Sequence, residues 1–222
     1  MKESRVQRSA GPKSAMTQAT YRKKALPHLL KDFERRCAYR LDPDEFRHPS
    51  QTHVDHFNCK LHGRKRHQYN NLMLGCAACN MSKHDKPVVN PEDKNQRLLN
   101  CTEECEFPEH VSESPDGQWH PLTEAGIYHI GLIGLQERCH QAKRAERRHM
   151  AQRVYSLLTQ AIQYESYNPA ALHEQIMGTL RDTLALLDKF PPLVTDKGVV
   201  SVRDWLVSQG IAPELIKATT EF

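Results

Sequence analysis

The chain has 222 residues, 38% of them hydrophobic and 26% charged, with a net charge of +4 and a mean hydropathy of −0.70. That length is enough to bury a real core, but no apolar run is long enough to cross a bilayer, so a membrane span is excluded. Seven cysteines, an odd number, stand at 37, 59, 76, 79, 101, 105 and 139. The amino terminus lacks the apolar stretch of a secretory signal, so they read as thiols or metal ligands of a cytoplasmic protein rather than as disulfides.

Charge is unevenly spread: residues 1–40 carry eleven Lys and Arg against three acids. Such an arm can neutralise phosphates or simply stay solvated. Residues 1–20, rich in Ser, Ala, Gln, Lys and Gly, have no apolar period and are predicted to form a flexible basic tail. Leu26, Leu29, Leu30 and Phe33 fall at i, i+3, i+4 and i+7, predicting an amphipathic helix over 26–36 with Pro27 in its first turn.

Asp-Pro and His-Pro dipeptides between Tyr39 and Gln51 predict a loop, and Thr52 to Phe57 has the character of a short strand. Residues 58–69 are polar and basic and should loop out. A second short strand is expected from Leu72 to Leu74, then a helix from Ala77 to Lys86 stopped by Pro87. Farther on, Ser114-Pro115-Asp116-Gly117 is a turn signal before Gln118-Trp119-His120, predicting a hairpin within 87–122.

Helical character resumes near Gly126 with Ile127, Ile130, Leu132 and Ile133, followed by the basic run Lys143, Arg144, Arg147, Arg148. Apolar residues repeat at helical spacing from Met150 to Ile162, and again from Leu172 to Leu187 after Asn168-Pro169. These predict two antiparallel helices, the second stripe being core or a partner interface. A short helix from Val202 to Gln209 closes the chain. The implied division is a tail at 1–20, a domain with a following hairpin region at 21–122, and a helical region at 123–222.

Chemistry concentrates between His53 and Lys86. A phosphodiester resists attack because its oxygens repel nucleophiles and its alkoxide leaves poorly, so a catalyst needs a cation on those oxygens and a base for water. Asp55 is a hard oxygen ligand suited to Mg²⁺, and His56 beside it can take a proton from water near neutral pH. Adjacent strand residues point to opposite faces, so both serve one site only if the strand ends or bulges there.

Asn71, 15 residues after His56, can bond backbone groups across the intervening loop and fix the base. Asn80, 24 residues after it, offers an amide oxygen as a second ligand for Mg²⁺ or Mn²⁺. Lys83, near the same helix face, is placed to contact a phosphate. His53 shares the strand face of Asp55 and either lines the site or is exposed. Arg64, Lys65, Arg66 and His67 lie between the halves of the motif, as nucleic-acid contacts or solvated surface. His84 is an extra ligand or a solvated residue.

Asp-His, Asn-Leu and Cys-x-x-Cys-Asn-x-x-Lys in this order resemble the HNH, or ββα-metal, endonucleases, over roughly residues 37–86. The resemblance implies an α+β protein built on a ββα unit. It also implies one Mg²⁺ (or Mn²⁺) held by Asp55 and Asn80, with His56 as general base and Asn71 orienting it. A second similarity is carried by Cys37-Ala38-Tyr39, Arg97-Leu98-Leu99-Asn100, Asp116-Gly117-Gln118-Trp119 and the run 126–135. It is to the HNH effectors of bacterial anti-phage systems, the Septu type and some retrons, and implies an ATPase partner of the ABC or SMC-like class.

One departure stands out. Many relatives pair two Cys-x-x-Cys motifs in a four-thiolate zinc site, whereas here Arg40 occupies the place of one cysteine. Cys37, Cys76 and Cys79 remain for a structural Zn²⁺, with the fourth ligand to come from Cys59, Cys101, Cys105 or a histidine. Cys101 and Cys105 are otherwise ordinary thiols. The expected function is Mg²⁺-dependent cleavage of nucleic acid, DNA first. RNA such as a tRNA is an alternative target, and a noncatalytic zinc-stabilised nucleic-acid-binding module is the alternative from another class.

Overall fold

Helix α1 (Tyr21–Asp32) turns Ala25 and Leu29 inward, with Phe33 just beyond its end, so the apolar period in the sequence becomes one buried face. It starts at Tyr21, earlier than the period predicts, because the polar residues 21–24 form its first turn. Pro27 therefore lies inside the helix. The computed structural model describes residues 6–41, 52–102, 106–136, 138–165, 182, 193–195 and 198–211.

The amino-terminal segment is a correction to the expected flexible tail. From Val6 onward it has no regular structure, yet it is fastened. The Val6 N–H donates to the Cys101 carbonyl at 3.0 Å, and Arg8 donates to the carbonyls of Tyr69 at 2.8 Å and Leu72 at 2.7 Å. The Arg8 guanidinium stands 5.3 Å from the ring centroids of both Phe33 and Tyr69. Composition reads such a residue as solvated; here carbonyls and ring faces replace its water.

Strand β1 (Thr52–His56) pairs antiparallel with β2 (Leu72–Cys76), in a register that sets Asp55 opposite Met73, His53 opposite Gly75 and His56 opposite Leu72. Between them lie the one-turn helix α2 (Gly63–Arg66), in the stretch predicted as loop, and a 3₁₀ turn at Tyr69–Asn71. Helix α3 (Ala77–Lys83) follows β2 directly and completes a ββα unit. Its end comes at Lys83, before Pro87, because His84 adopts a φ of 42° and leaves the helical region.

The predicted hairpin is present as β3 (Val111–Glu113) and β4 (Trp119–Pro121), preceded by α4 (Glu106–His110). Gly117 sits in its turn at φ +80°, and a Cβ there would meet the Gln141 carbonyl oxygen and the Ala145 nitrogen at 2.5 Å. Helix α5 (Glu124–Ile133) is capped by the Thr123 hydroxyl, which accepts from the Gly126 N–H, and buries His129, Ile130 and Ile133.

Helix α6 (Arg138–Glu165) carries the basic run, which serves docking. Arg144 donates to the carbonyls of Gly117 at 2.6 Å and Leu135 at 2.9 Å and lies 4.9 Å over the Trp119 ring. Arg147 and Arg148 both bond the fully buried Glu113, which also accepts from Trp119 Nε1 at 3.0 Å. A further hairpin, β5 (Leu193–Thr195) with β6 (Gly198–Val200), precedes α7 (Val202–Ser208), whose Trp205 meets Tyr155 of α6 edge-on at 6.1 Å. The leucine stripe expected between 172 and 187 lies outside the described residues, Asp182 apart.

The protein is thus α+β, with small antiparallel sheets among helices. One core of buried residues runs from Leu29 and Phe33 of the α1 segment through Leu72 and Leu74 of β2 to Trp119 and Leu135. Among the described residues, no helix is long and apolar enough to cross a membrane.

Candidate metal centre and catalytic site

In the ββα unit the Cβ atoms of Asp55 and Asn80 both lie beside Gly75. A Cβ at Gly75 would lie 3.8 Å from the Cβ of Asp55, 3.9 Å from that of Asn80 and 3.6 Å from the Tyr39 ring. A side chain at Gly75 would therefore stand beside a carboxylate residue of the strand and an amide residue of the helix. Carboxylate and amide oxygens are donor types that suit a hard divalent cation such as Mg²⁺. His53, directly opposite Gly75, shares the face of Asp55 and is half-buried.

Asp55 is held from below. Its Oδ2 accepts from the Tyr39 hydroxyl and from Lys83 Nζ at 3.0 Å, and Lys83 Nζ also donates to the His56 carbonyl at 2.8 Å. Lys83 is 1% exposed. The expectation that it reaches a phosphate from the helix surface is not met in this geometry: its side chain runs inward and anchors the strand end. Burial, together with the Asp55 charge and hydrogen bond, raises the Tyr39 phenol well above its ordinary value, so Tyr39 is the proton donor in this contact.

His56 is the last residue of β1, with no bulge before it, so the strand end is what allows it to serve one site with Asp55. There its Nε2 lies 3.1 Å from Nδ1 of His67, and both rings pack against Tyr21 of α1, at 4.7 and 5.1 Å between centroids. Burial, reinforced by Arg66, His67 and Lys83, lowers the His56 pKa to about 4, so the imidazole is neutral at physiological pH and has a lone pair to offer. Sequence reading took His67 only as part of the basic Arg64-Lys65-Arg66-His67 loop, a substrate contact or solvated surface, and gave Tyr39 and Tyr21 no role at the site.

Asn71 stitches the loop that follows the histidine. Its Oδ1 accepts from the Asn58 N–H at 2.9 Å, while Nδ2 donates to the carbonyls of Arg66 at 2.9 Å and Asn58 at 3.3 Å. These bonds tie Asn58 to Arg66 and so hold the approach to His67; the hydrogen bonds of the Asn71 side chain go to backbone and not to the His56 ring. Arg64 and Lys65 on α2 are exposed and Arg66 is half-buried near His56. His84 is exposed beside Asp85.

A second cluster lies at the back of the unit. The sulfurs of Cys37, Cys76 and Cys79, all buried, lie within 4.8 Å of one another. Burial pushes the Cys37 thiol up, but hydrogen bonds from Cys76 and Cys79 and from backbone outweigh it and hold it well below the usual thiol range. Three convergent soft donors, one of them poised as a thiolate, fit zinc. Neither Cys59, which donates to the Lys86 carbonyl, nor Cys101 joins the cluster, and Cys105 lies outside the described residues. The Cys76 thiol is pushed above its ordinary range, chiefly by its hydrogen bond to Cys37, with buried Arg40 opposing the rise.

No curated protein matches the chain. The model of the HNH endonuclease family matches residues 36–86, the segment that contributes Cys37, Tyr39, both strands and α3. An HNH domain is the working part of a nucleic-acid endonuclease and binds metal. Residues 36–86 of this chain are an HNH endonuclease domain.

Proposed function

We propose that the protein is a Mg²⁺-dependent HNH endonuclease that hydrolyses phosphodiester bonds of DNA. The observation that supports this reading is the HNH match over residues 36–86, within which the Cβ atoms of Asp55 and Asn80 both lie beside Gly75. In it, Asp55 and Asn80 hold the cation, which when bound supplies a Lewis acid for the phosphate oxygens and the leaving alkoxide. Neutral His56 accepts the proton of the attacking water, leaving 5'-phosphate and 3'-hydroxyl ends. Asn71 keeps the loop after His56 in one conformation. Arg64, Lys65 and Arg66 of α2, with His53, contact the nucleic-acid backbone. Cys37, Cys76 and Cys79 hold a structural Zn²⁺ that ties the segment before β1 to the β2–α3 junction.

The similarity of the Cys37-Ala38-Tyr39 segment and of the run 126–135 to anti-phage HNH effectors supports a defence role alongside an ATPase of ABC or SMC-like class. The test compares wild type with His56→Ala, offering duplex DNA and tRNA with Mg²⁺, with and without proteins co-purified from the native host. Mg²⁺-dependent DNA cleavage that His56→Ala abolishes, with fold and binding retained, is the expected outcome. RNA cleavage alone would move the target to RNA. Binding without cleavage by any preparation would leave a zinc-stabilised binding module and end the enzyme reading.

A further inference from the structure

Tyr39 lies outside the Asp-His, Asn-Leu and Cys-x-x-Cys-Asn elements, and it is among the largest fully buried side chains of the chain. Its carbonyl accepts from Nε2 of His129 at 2.9 Å, its ring lies 3.6 Å from where a Cβ would stand on Gly75, and its hydroxyl donates to Oδ2 of Asp55. Lys83 Nζ reaches the same oxygen at 3.0 Å. Both donors converge on Oδ2; among the described residues no side chain bonds Oδ1. A carboxylate pinned at one oxygen by two donors from different elements has lost its freedom to rotate, and its other oxygen is aimed by them.

We infer that Tyr39 is a positioning residue for the metal site: with Lys83 it fixes Oδ2 of Asp55 and so turns Oδ1 toward the cation shared with Asn80. The inference rests on the reading of Asp55 as a metal ligand. It makes Asp55 a one-oxygen ligand whose direction is set from the interior before any metal arrives. Partners that orient a metal ligand in this way typically carry roughly ten- to a hundredfold in metal affinity. The ammonium alone cannot substitute, because Lys83 is also committed to the His56 carbonyl and pulls Oδ2 from a single direction.

The decisive variant is Tyr39→Phe, which keeps the buried ring and removes the hydroxyl alone. Mn²⁺ binding to the full-length protein is read by electron paramagnetic resonance without nucleic acid, with Asp55→Asn marking the signal that belongs to this site and circular dichroism confirming the fold. Tyr39→Phe should weaken the Asp55-dependent Mn²⁺ site by about tenfold or more. In cleavage assays the metal concentration for half-maximal rate should rise by the same factor, while the rate at saturating Mn²⁺ stays within about twofold of wild type.

A merely structural tyrosine would lower thermal stability and leave the metal titration where it was. Unchanged Mn²⁺ affinity in folded Tyr39→Phe, or no Asp55-dependent Mn²⁺ site in wild type, overturns the inference. If Tyr39→Phe does not fold, the same titration on Lys83→Gln decides: a weakened site upholds the two-donor clamp, and an unchanged one overturns it. Wild-type protein that binds Mn²⁺ through Asp55 yet cleaves nothing would end the nuclease reading and leave the clamp intact.

Discussion

Lys83 Nζ lies 3.0 Å from the Asp55 carboxylate and donates to the His56 carbonyl at 2.8 Å, so one buried ammonium joins the end of α3 to the two residues that end β1. With Lys83 1% exposed and the Asp55 side chain 11% exposed, this is an interior ion pair. Lys83→Met removes the charge and keeps the bulk, leaving the carboxylate without its counter-charge. The expected loss is about 3–5 kcal/mol of unfolding free energy, measured by urea titration. A lysine that worked on phosphate from the surface would leave the urea midpoint unmoved.

His129 gives a stability that depends on pH. It is fully buried in its neutral form: Nδ1 accepts from the Leu99 N–H at 3.2 Å and Nε2 donates to the Tyr39 carbonyl at 2.9 Å. Burial lowers its pKa from 6.5 to about 4, against a small opposing pull from that carbonyl. As pH falls the unfolded chain takes up the proton first, so this contribution is complete above pH 6.5 and is lost on the way down to about pH 4. The slope is about 1.4 kcal/mol per pH unit from this residue, and His56 adds to it with the same sign. Urea titrations of His129→Gln across this range should show a slope shallower by one proton.

The thiol cluster predicts bound metal. Purified protein should carry about one equivalent of zinc by elemental analysis, and Cys76→Ser should lose it with a fall in melting temperature. Cys59→Ser, whose sulfur meets only the Lys86 carbonyl, should keep it. Zinc retained in full by Cys76→Ser would remove the cluster from consideration.

Glu113 fastens the long helix to the hairpin. Its carboxylate is fully buried and is shared by Arg147, Arg148 and Trp119 Nε1. Replacing it by Gln keeps the size but leaves two guanidinium groups facing a neutral amide, at a cost of about 3–5 kcal/mol. Limited proteolysis should show the effect first within α6, with cuts among residues 141–160 that wild type resists.

The ββα order was legible because each part has a local cause. Thr52–His56 is β-rich, Cys76 caps the helix behind it through its sulfur, and the spacing of Asp55, His56, Asn71 and Asn80 leaves few ways to arrange them. The α1 face and the Ser114–Gly117 turn were legible for the same reason. Arg8, Lys83 and the Arg144–Arg148 run were misleading, since a cation reads as solvated until a distant carbonyl or carboxylate is known to meet it. The actual partners of Tyr39 and His67 were not legible either: a tyrosine 16 residues before Asp55 and a histidine ending a basic loop have neighbours that only folding supplies.

By itself the sequence determined which hard oxygens, which imidazole and which thiols stand at HNH spacing, because residue type and separation along the chain are local quantities. Tertiary structure decided how each is used. It turned Lys83 inward, put Tyr39 beneath Asp55 and packed Tyr21 against His56 and His67. Direction and burial depend on which elements pack together, and those contacts join residues far apart in the chain.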